Sequence, residues 1–225
     1  MKKLLAAIIA AALLLSGCSL SSRPAVSAPP AETPSPSPTP IVTPTPAPEP
    51  SDDELVLVRD YIPGIFIDLK YATTDNFTGQ VIYDSDEAYL RYGTVKKLLA
   101  AQNELSGRGL SLKIWDAYRP VSAQFKLWEI CPNPVYVSDP NNGYSKHSRA
   151  NTVDITLVTS TGESIPMPSG FDDFTSLADR DYSDVSAEAA ENARLLESVM
   201  VENGFVPYSG EWWHYSDNVS YDVYG

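Results

Sequence analysis

Positive charge is scarce in this chain. Sixteen lysines and arginines stand against 29 aspartates and glutamates in 225 residues, a formal net charge of −13. That balance argues against nucleic acid and against long polyanions as partners. Cysteine is rarer still: Cys18 and Cys131 alone, too few for a disulfide framework. Long apolar runs are missing too. The longest, Leu4 to Leu15, covers about a dozen residues, too short to span a bilayer comfortably. No internal repeat is visible. Histidine occurs only twice, as His147 and His214. With so few imidazoles, the company each one keeps becomes informative.

The front of the chain is not domain material. Met1-Lys2-Lys3 followed by the apolar run has the form of a signal peptide over residues 1–17. It ends in Leu15-Ser16-Gly17-Cys18, which resembles the lipobox of bacterial lipoproteins. The resemblance implies cleavage before Cys18 and a lipid on its sulfur, a two-chain anchor that holds stably in a membrane. An ordinary secretory signal with an incidental cysteine is the alternative. Residues 19–54 hold 11 of the 19 prolines, interleaved with Ser, Thr and Ala. This composition cannot bury a core and favours extended polyproline II, so residues 18–54 read as a lipidated cysteine and a stalk reaching at most ~110 Å. Lys2 and Lys3 leave with the leader and the stalk carries −4, so −11 falls on the remaining domain, residues 55–225. With Cys18 lipidated, Cys131 has no partner and reads as a small core hydrophobe.

Within that domain, Leu55 to Lys70 reads as strand with a turn at Pro63-Gly64, and Glu87 to Ser106 as helix stopped by Gly107. Leu110 to Asp116 alternates with period two, a half-buried strand. Pro120 fits the first turn of a short helix to about Ile130. Thr152 to Val158 alternates again, with Val153, Ile155 and Leu157 on one face and Thr152, Asp154 and Thr156 on the other. Asp154 thus belongs to the polar face, available to a cleft. Ser186 is an N-cap for a helix to Asn203, closed by Gly204, and two strands follow in Phe205 to Tyr208 and Trp212 to Ser216. The elements keep no βαβ rhythm. The prediction is an α+β fold, a single domain with a mainly antiparallel central sheet flanked by helices.

Each histidine has carboxylate company: Asp154 after His147, and Glu211 before His214. Either histidine alone is more often structural. Together, two imidazoles and an aspartate make the three protein ligands of a catalytic metal site with an open fourth position. The set suits zinc without excluding other divalent ions. Glu211 is a candidate general base for the water of such a site. One difficulty stands: in an ideal strand, residues three apart point to opposite faces, so Glu211 and His214 should diverge. Gly210 permits a kink or bulge, and irregular backbone is expected there.

Five blocks now make a resemblance specific. Ser145-Lys146-His147-Ser148-Arg149-Ala150-Asn151-Thr152-Val153-Asp154 and Glu211-Trp212-Trp213-His214-Tyr215 resemble the paired signatures of the D-alanyl-D-alanine dipeptidases, the VanX-type zinc peptidases. Asp68 to Gly79, Trp115-Asp116-Ala117-Tyr118-Arg119-Pro120 and Met167 to Asp172 are similar to three further blocks of that family, in order. The resemblance implies a hedgehog/D,D-peptidase-like fold and one zinc ion held by His147, Asp154 and His214. It implies Glu211 as general base and acid, and Arg119 beside the scissile carbonyl, where a surface salt bridge is the plainer alternative. Tyr71, Ser145 and Asp172 fall on the substrate pocket, with Asp172 placed to meet the dipeptide's ammonium. Two departures stand out: Ala150 and Ala117 occupy positions where the family has glycine, and alanine costs stability if either needs positive φ.

The implied activity is zinc-dependent hydrolysis of D-alanyl-D-alanine or related D,D-dipeptides by an extracytoplasmic protein. A lipid anchor alone would hold it to the bacterial membrane. A D,D-carboxypeptidase trimming peptidoglycan stem peptides fits the same residues and suits that location. A non-catalytic wall-binding lipoprotein is the rival from another class, and it has no use for Glu211.

Overall fold

A computed structural model of the protein describes residues 48–225. The leader, Cys18 and the stalk up to residue 47 lie outside the described residues. No helix among the described residues is long and apolar enough to cross a membrane. The architecture is α+β. A five-stranded sheet runs in the order β2 (Phe66–Ile67), β4 (Leu110–Asp116), β5 (Thr152–Thr159), β7 (Glu211–Asp217), β6 (Phe205–Tyr208). Only the β2–β4 pair is parallel. A separate antiparallel pair joins β1 (Leu55–Leu57) to β3 (Tyr89–Arg91).

The alternation in β4 and β5 does sort residues by face. Val153, Ile155 and Leu157 are at most 1% exposed and lie in the core. The opposite face is not open, however: Thr152, Asp154 and Thr156 are also buried, between 0% and 5% exposed. Loops close over that face, Ser164 bridging to Val158 and Ser169 accepting a hydrogen bond from Trp212 Nε1 at 2.9 Å. Polar identity therefore marked the side of the chemistry, and tertiary structure buried it.

Helices α2 (Tyr92–Ser106) and α4 (Ala187–Glu202) pack against the sheet and each other, with Leu98, Leu105, Leu196 and Met200 fully buried. Ser186 caps α4, its hydroxyl accepting from Ala189 N at 3.1 Å, and Gly204 follows with φ +88°. On the site's side an aromatic cluster carries the packing. Trp115, Trp212, Trp213 and Phe171 stand ring to ring at 5.6–6.3 Å. Both Trp212 and Trp213 are core residues, 0% and 1% exposed. Burying a side chain of that size removes roughly 150–250 Å² from water, worth about 4–6 kcal/mol each at ~25 cal/mol per Å².

Several elements differ from the sequence expectation. Leu55 to Lys70 is not one strand: after β1 a four-residue helix, α1 (Val58–Tyr61), leads to the turn where Gly64 takes φ +79°, and β2 is only two residues long. The helix expected from Glu87 starts five residues later, because Tyr89, Leu90 and Arg91 pair with β1. Pro120 is the N-cap of α3 (Val121–Ile130), in extended backbone, rather than in its first turn. Residues 49–54 are also held to the body. Asp52, Asp53 and Glu54 present their carbonyls to Gly93 N, Arg91 Nη1 and Tyr92 N at 2.6–2.9 Å.

Candidate metal centre

His147 lies in a 3-10 turn, Lys146–Arg149, capped by Ser145, whose hydroxyl accepts from His147 N at 3.3 Å. The turn ends at Ala150 in the left-handed region, φ +58°, and β5 begins two residues later. Asp154 on β5 is the direct cross-strand partner of His214 on β7, so their side chains share a face. Donor atoms of His147, Asp154 and His214 all lie within 4.8 Å of one another. His147 Nε2 is 3.3 Å from Asp154 Oδ2 and 3.4 Å from His214 Nδ1, and His214 Nδ1 is 2.9 Å from Asp154 Oδ1.

The donor set fits a zinc ion. Bonds of about 2.0–2.1 Å at tetrahedral angles place neighbouring ligand atoms roughly 3.3–3.4 Å apart, the separation of His147 Nε2 from Asp154 Oδ2 and from His214 Nδ1. His147 Nδ1 donates to the carbonyl of Ala117 at 2.8 Å, which fixes the tautomer and leaves the Nε2 lone pair facing the other two groups. Burial alone would raise the carboxyl of Asp154, but the imidazoles of His147 and His214 outweigh it and hold the group far below the usual carboxylate range. Burial lowers His214, the direction a metal-binding imidazole needs. For His147 burial acts the same way, but Asp154 and Asp116 outweigh it and raise the ring.

Glu211 does converge with His214: its Oε2 lies 3.5 Å from His214 Nδ1. The difficulty of residues three apart is resolved by a slip. Pro207 pairs with Tyr215, but the next β6 residue, Tyr208, pairs with Glu211, so Trp212, Trp213 and His214 have no β6 counterpart. The expected irregularity therefore lies inside β7. Burial, then the carboxylates of Asp154 and Asp172, push Glu211 up to about 7. Ser145 and Glu211 line the same cavity of about 280 Å³, together with Tyr136, Tyr208 and His214.

Arg119 is 9% exposed and is no surface salt bridge. Its Nε and Nη2 donate to Asp116 Oδ2 at 3.1 and 2.6 Å, its Nη1 donates to Gln124 Oε1 at 2.9 Å, and its guanidinium lies 5.0 Å above the Tyr71 ring. Tyr71 donates to Asp172 Oδ2 at 2.7 Å. Burial first, then nearby carboxylates, raise Asp172 to about 7 against the pull of Tyr71 and Arg119. Asp116 and Gln124 escaped sequence reasoning. Asp116, 0% exposed, sits between Arg119, Tyr83 and His147, and Gln124 ties Arg119 to the carbonyl of Ser138. An aspartate three residues before an arginine was the only available signal for the first. The second had none.

Comparison with known proteins gives the family. The model of the peptidase M15 family, described as D-ala-D-ala dipeptidase, matches residues 51–222. A D-alanyl-D-alanine dipeptidase of Escherichia coli is 39% identical over 72% of this chain and 83% of its own length. One from Enterococcus faecium is 36% identical over 68% and 86%, and one from Streptomyces coelicolor 36% identical over 72% and 91%. A solved structure, VanYB in complex with D-alanine-D-alanine, covers 59% of this chain and 74% of its own at 16% identity, with a TM-score of 0.39, too low to carry any argument. The class is thereby fixed: this protein is an enzyme, a metallopeptidase. Within that class the chain belongs to the D-ala-D-ala dipeptidase family, peptidase M15.

Proposed function

We propose that this protein hydrolyses D-alanyl-D-alanine or related D,D-dipeptides at a single zinc ion held by His147, Asp154 and His214. The observation that carries the reading is Glu211, its carboxylate 3.5 Å from a candidate ligand atom and raised to about 7. Bound zinc supplies Lewis acidity, bringing the pKa of water from about 15.7 towards 7. Glu211 accepts the proton of the attacking water at Oε2 and returns it to the leaving amine, a role worth typically 10²–10⁴-fold and best served by a carboxylate that titrates near neutrality. Arg119 has three of its five N–H groups engaged by Asp116 and Gln124, which orients the other two to meet negative charge on the scissile carbonyl oxygen. Losing such a donor costs roughly 2.7–4 kcal/mol. Tyr71 orients Asp172, whose carboxylate pairs with the ammonium of the dipeptide, and the ion pair favours the ionised form. Ser145 lines the cavity that receives the substrate.

The lipobox-like Cys18 supports a location outside the cytoplasm, with a lipid tether to the membrane. That location favours stem peptides of the wall as a second substrate class, trimmed by a D,D-carboxypeptidase reaction. Assay of the protein on free dipeptide and on a pentapeptide stem separates the two, and release of D-alanine from the pentapeptide alone rejects the dipeptidase reading. Glu211→Ala should lower kcat by 10²-fold or more while zinc stays near one per chain by elemental analysis. Turnover at the wild-type rate in that variant removes Glu211 from the reaction.

A further inference from the structure

Arg180 lies in the loop before α4, 31 residues ahead of Glu211, outside every motif that drew attention in the sequence. All five of its N–H groups are used. Nε donates to Tyr208 O at 2.7 Å, and Nη1 donates to Glu197 Oε2 and Tyr215 Oη, both at 3.0 Å. Nη2 donates to the carbonyls of Glu211 and His214, at 3.0 and 3.1 Å. The side chain is 11% exposed and lies over the Tyr215 ring at 4.6 Å.

The carbonyls it grips belong to the two residues on which the candidate chemistry turns. They lie in the stretch of β7 that slips out of register with β6, where Trp212, Trp213 and His214 lack partners on β6. A single nitrogen of Arg180 therefore takes the place of a sheet ladder. By holding both carbonyls at once it fixes the spacing of the Glu211 carboxylate from the His214 ring. We propose that Arg180 is a positioning residue for the metal centre, one that sets the irregular strand so that base and ligand meet. The inference rests on the reading of Glu211 and His214 given above. The planar fork of arginine is needed, because a lysine ammonium has three donors and cannot span five acceptors in these directions. The competing role, a tie between α4 and the sheet through Glu197, uses the other side of the guanidinium.

The two roles separate by experiment on the full chain. Metal-free wild type, Arg180→Lys and Glu197→Gln are titrated with Co²⁺, and kcat and KM are measured on the dipeptide after loading with zinc. Outer-shell partners of metal ligands are worth roughly 10–100-fold in metal affinity or activity. Arg180→Lys is expected to lose that much in Co²⁺ affinity and in kcat, with KM changed less than about threefold, while Glu197→Gln stays within about threefold of wild type in all three. The proposal is overturned if Arg180→Lys retains wild-type affinity and kcat. It is equally overturned if Glu197→Gln loses as much, or if Arg180→Lys fails to fold while Glu197→Gln is destabilised alongside it, since each makes the residue a structural tie. A wild-type protein that binds Co²⁺ but cleaves neither dipeptide nor pentapeptide would sink the proposed activity instead, and the Co²⁺ comparison would still decide the role of Arg180.

Discussion

Asp172 carries two unusual features for one residue: a backbone φ of +53° and a carboxyl raised to about 7. The left-handed backbone suits Asp and Asn better than other residues with a Cβ. Burial raises the carboxyl, so in the folded chain it holds its proton up to about pH 7, whereas in the unfolded chain it loses it near 4. Below pH 4 both states are protonated and Asp172 is neutral in its effect. As pH rises from about 4 to 7 the unfolded state gains by ionising, and the penalty is complete above 7. Asp172→Asn should therefore stabilise the metal-free protein at pH 8 relative to pH 5, by on the order of a few kcal/mol, in urea unfolding at the two pH values. Equal effects at both would refute the linkage. The two alanines that replace family glycines part company at this scale. Ala150 has φ +58°, a conformation that costs a non-glycine residue roughly 1–2 kcal/mol, while Ala117 has an ordinary negative φ and takes no such strain.

Among elements, β7 does the most. Its upper half presents Glu211 and His214 through the register slip, and its end is anchored to α2 by Asp217. That side chain is 0% exposed, and it accepts from Thr94 Oγ1 at 2.8 Å and Lys97 Nζ at 2.5 Å. Val219 N donates to it as well, at 2.7 Å, turning the chain out of the strand. Asp217→Ala strands a partly buried lysine and a buried hydroxyl, and should cost about 2 kcal/mol, less than a fully buried pair because Lys97 still reaches water. Guanidinium unfolding measures it; a loss under about 0.5 kcal/mol would show that β7 holds without this anchor. Period-two alternation made β4 and β5 legible, because side-chain direction alternates whatever the strand is paired with. It could not place β3 or the start of α2: Tyr89 to Arg91 form a strand only because β1 lies beside them. The slip in β7 was legible as a need, from two functional residues three apart, but not as a geometry.

For the whole molecule, the candidate metal centre ties a 3-10 turn, β5 and β7 together across 67 residues of chain from His147 to His214. An ion that binds the folded chain and not the unfolded one stabilises it by mass action, about 2.7 kcal/mol at a free concentration of 100 Kd. Chelation should therefore abolish hydrolysis and lower Tm together, and added zinc should restore both. A Tm unmoved by chelator would mean that His147, Asp154 and His214 hold no ion in the folded protein.

The sequence by itself determined the chemistry on offer. With two histidines in the whole chain, each beside a carboxylate, a metal site had one obvious pair of imidazoles to use, and alternation put Asp154 on the polar side of its strand. Tertiary structure alone decided how those groups are held. The slip that turns Glu211 towards His214 depends on which strand lies alongside, and Arg180, Asp116 and Gln124 work through backbone carbonyls and buried oxygens. A carbonyl is common to every residue and leaves no trace in the letters of a sequence, so the partners that aim a site through carbonyls appear only once the chain is folded.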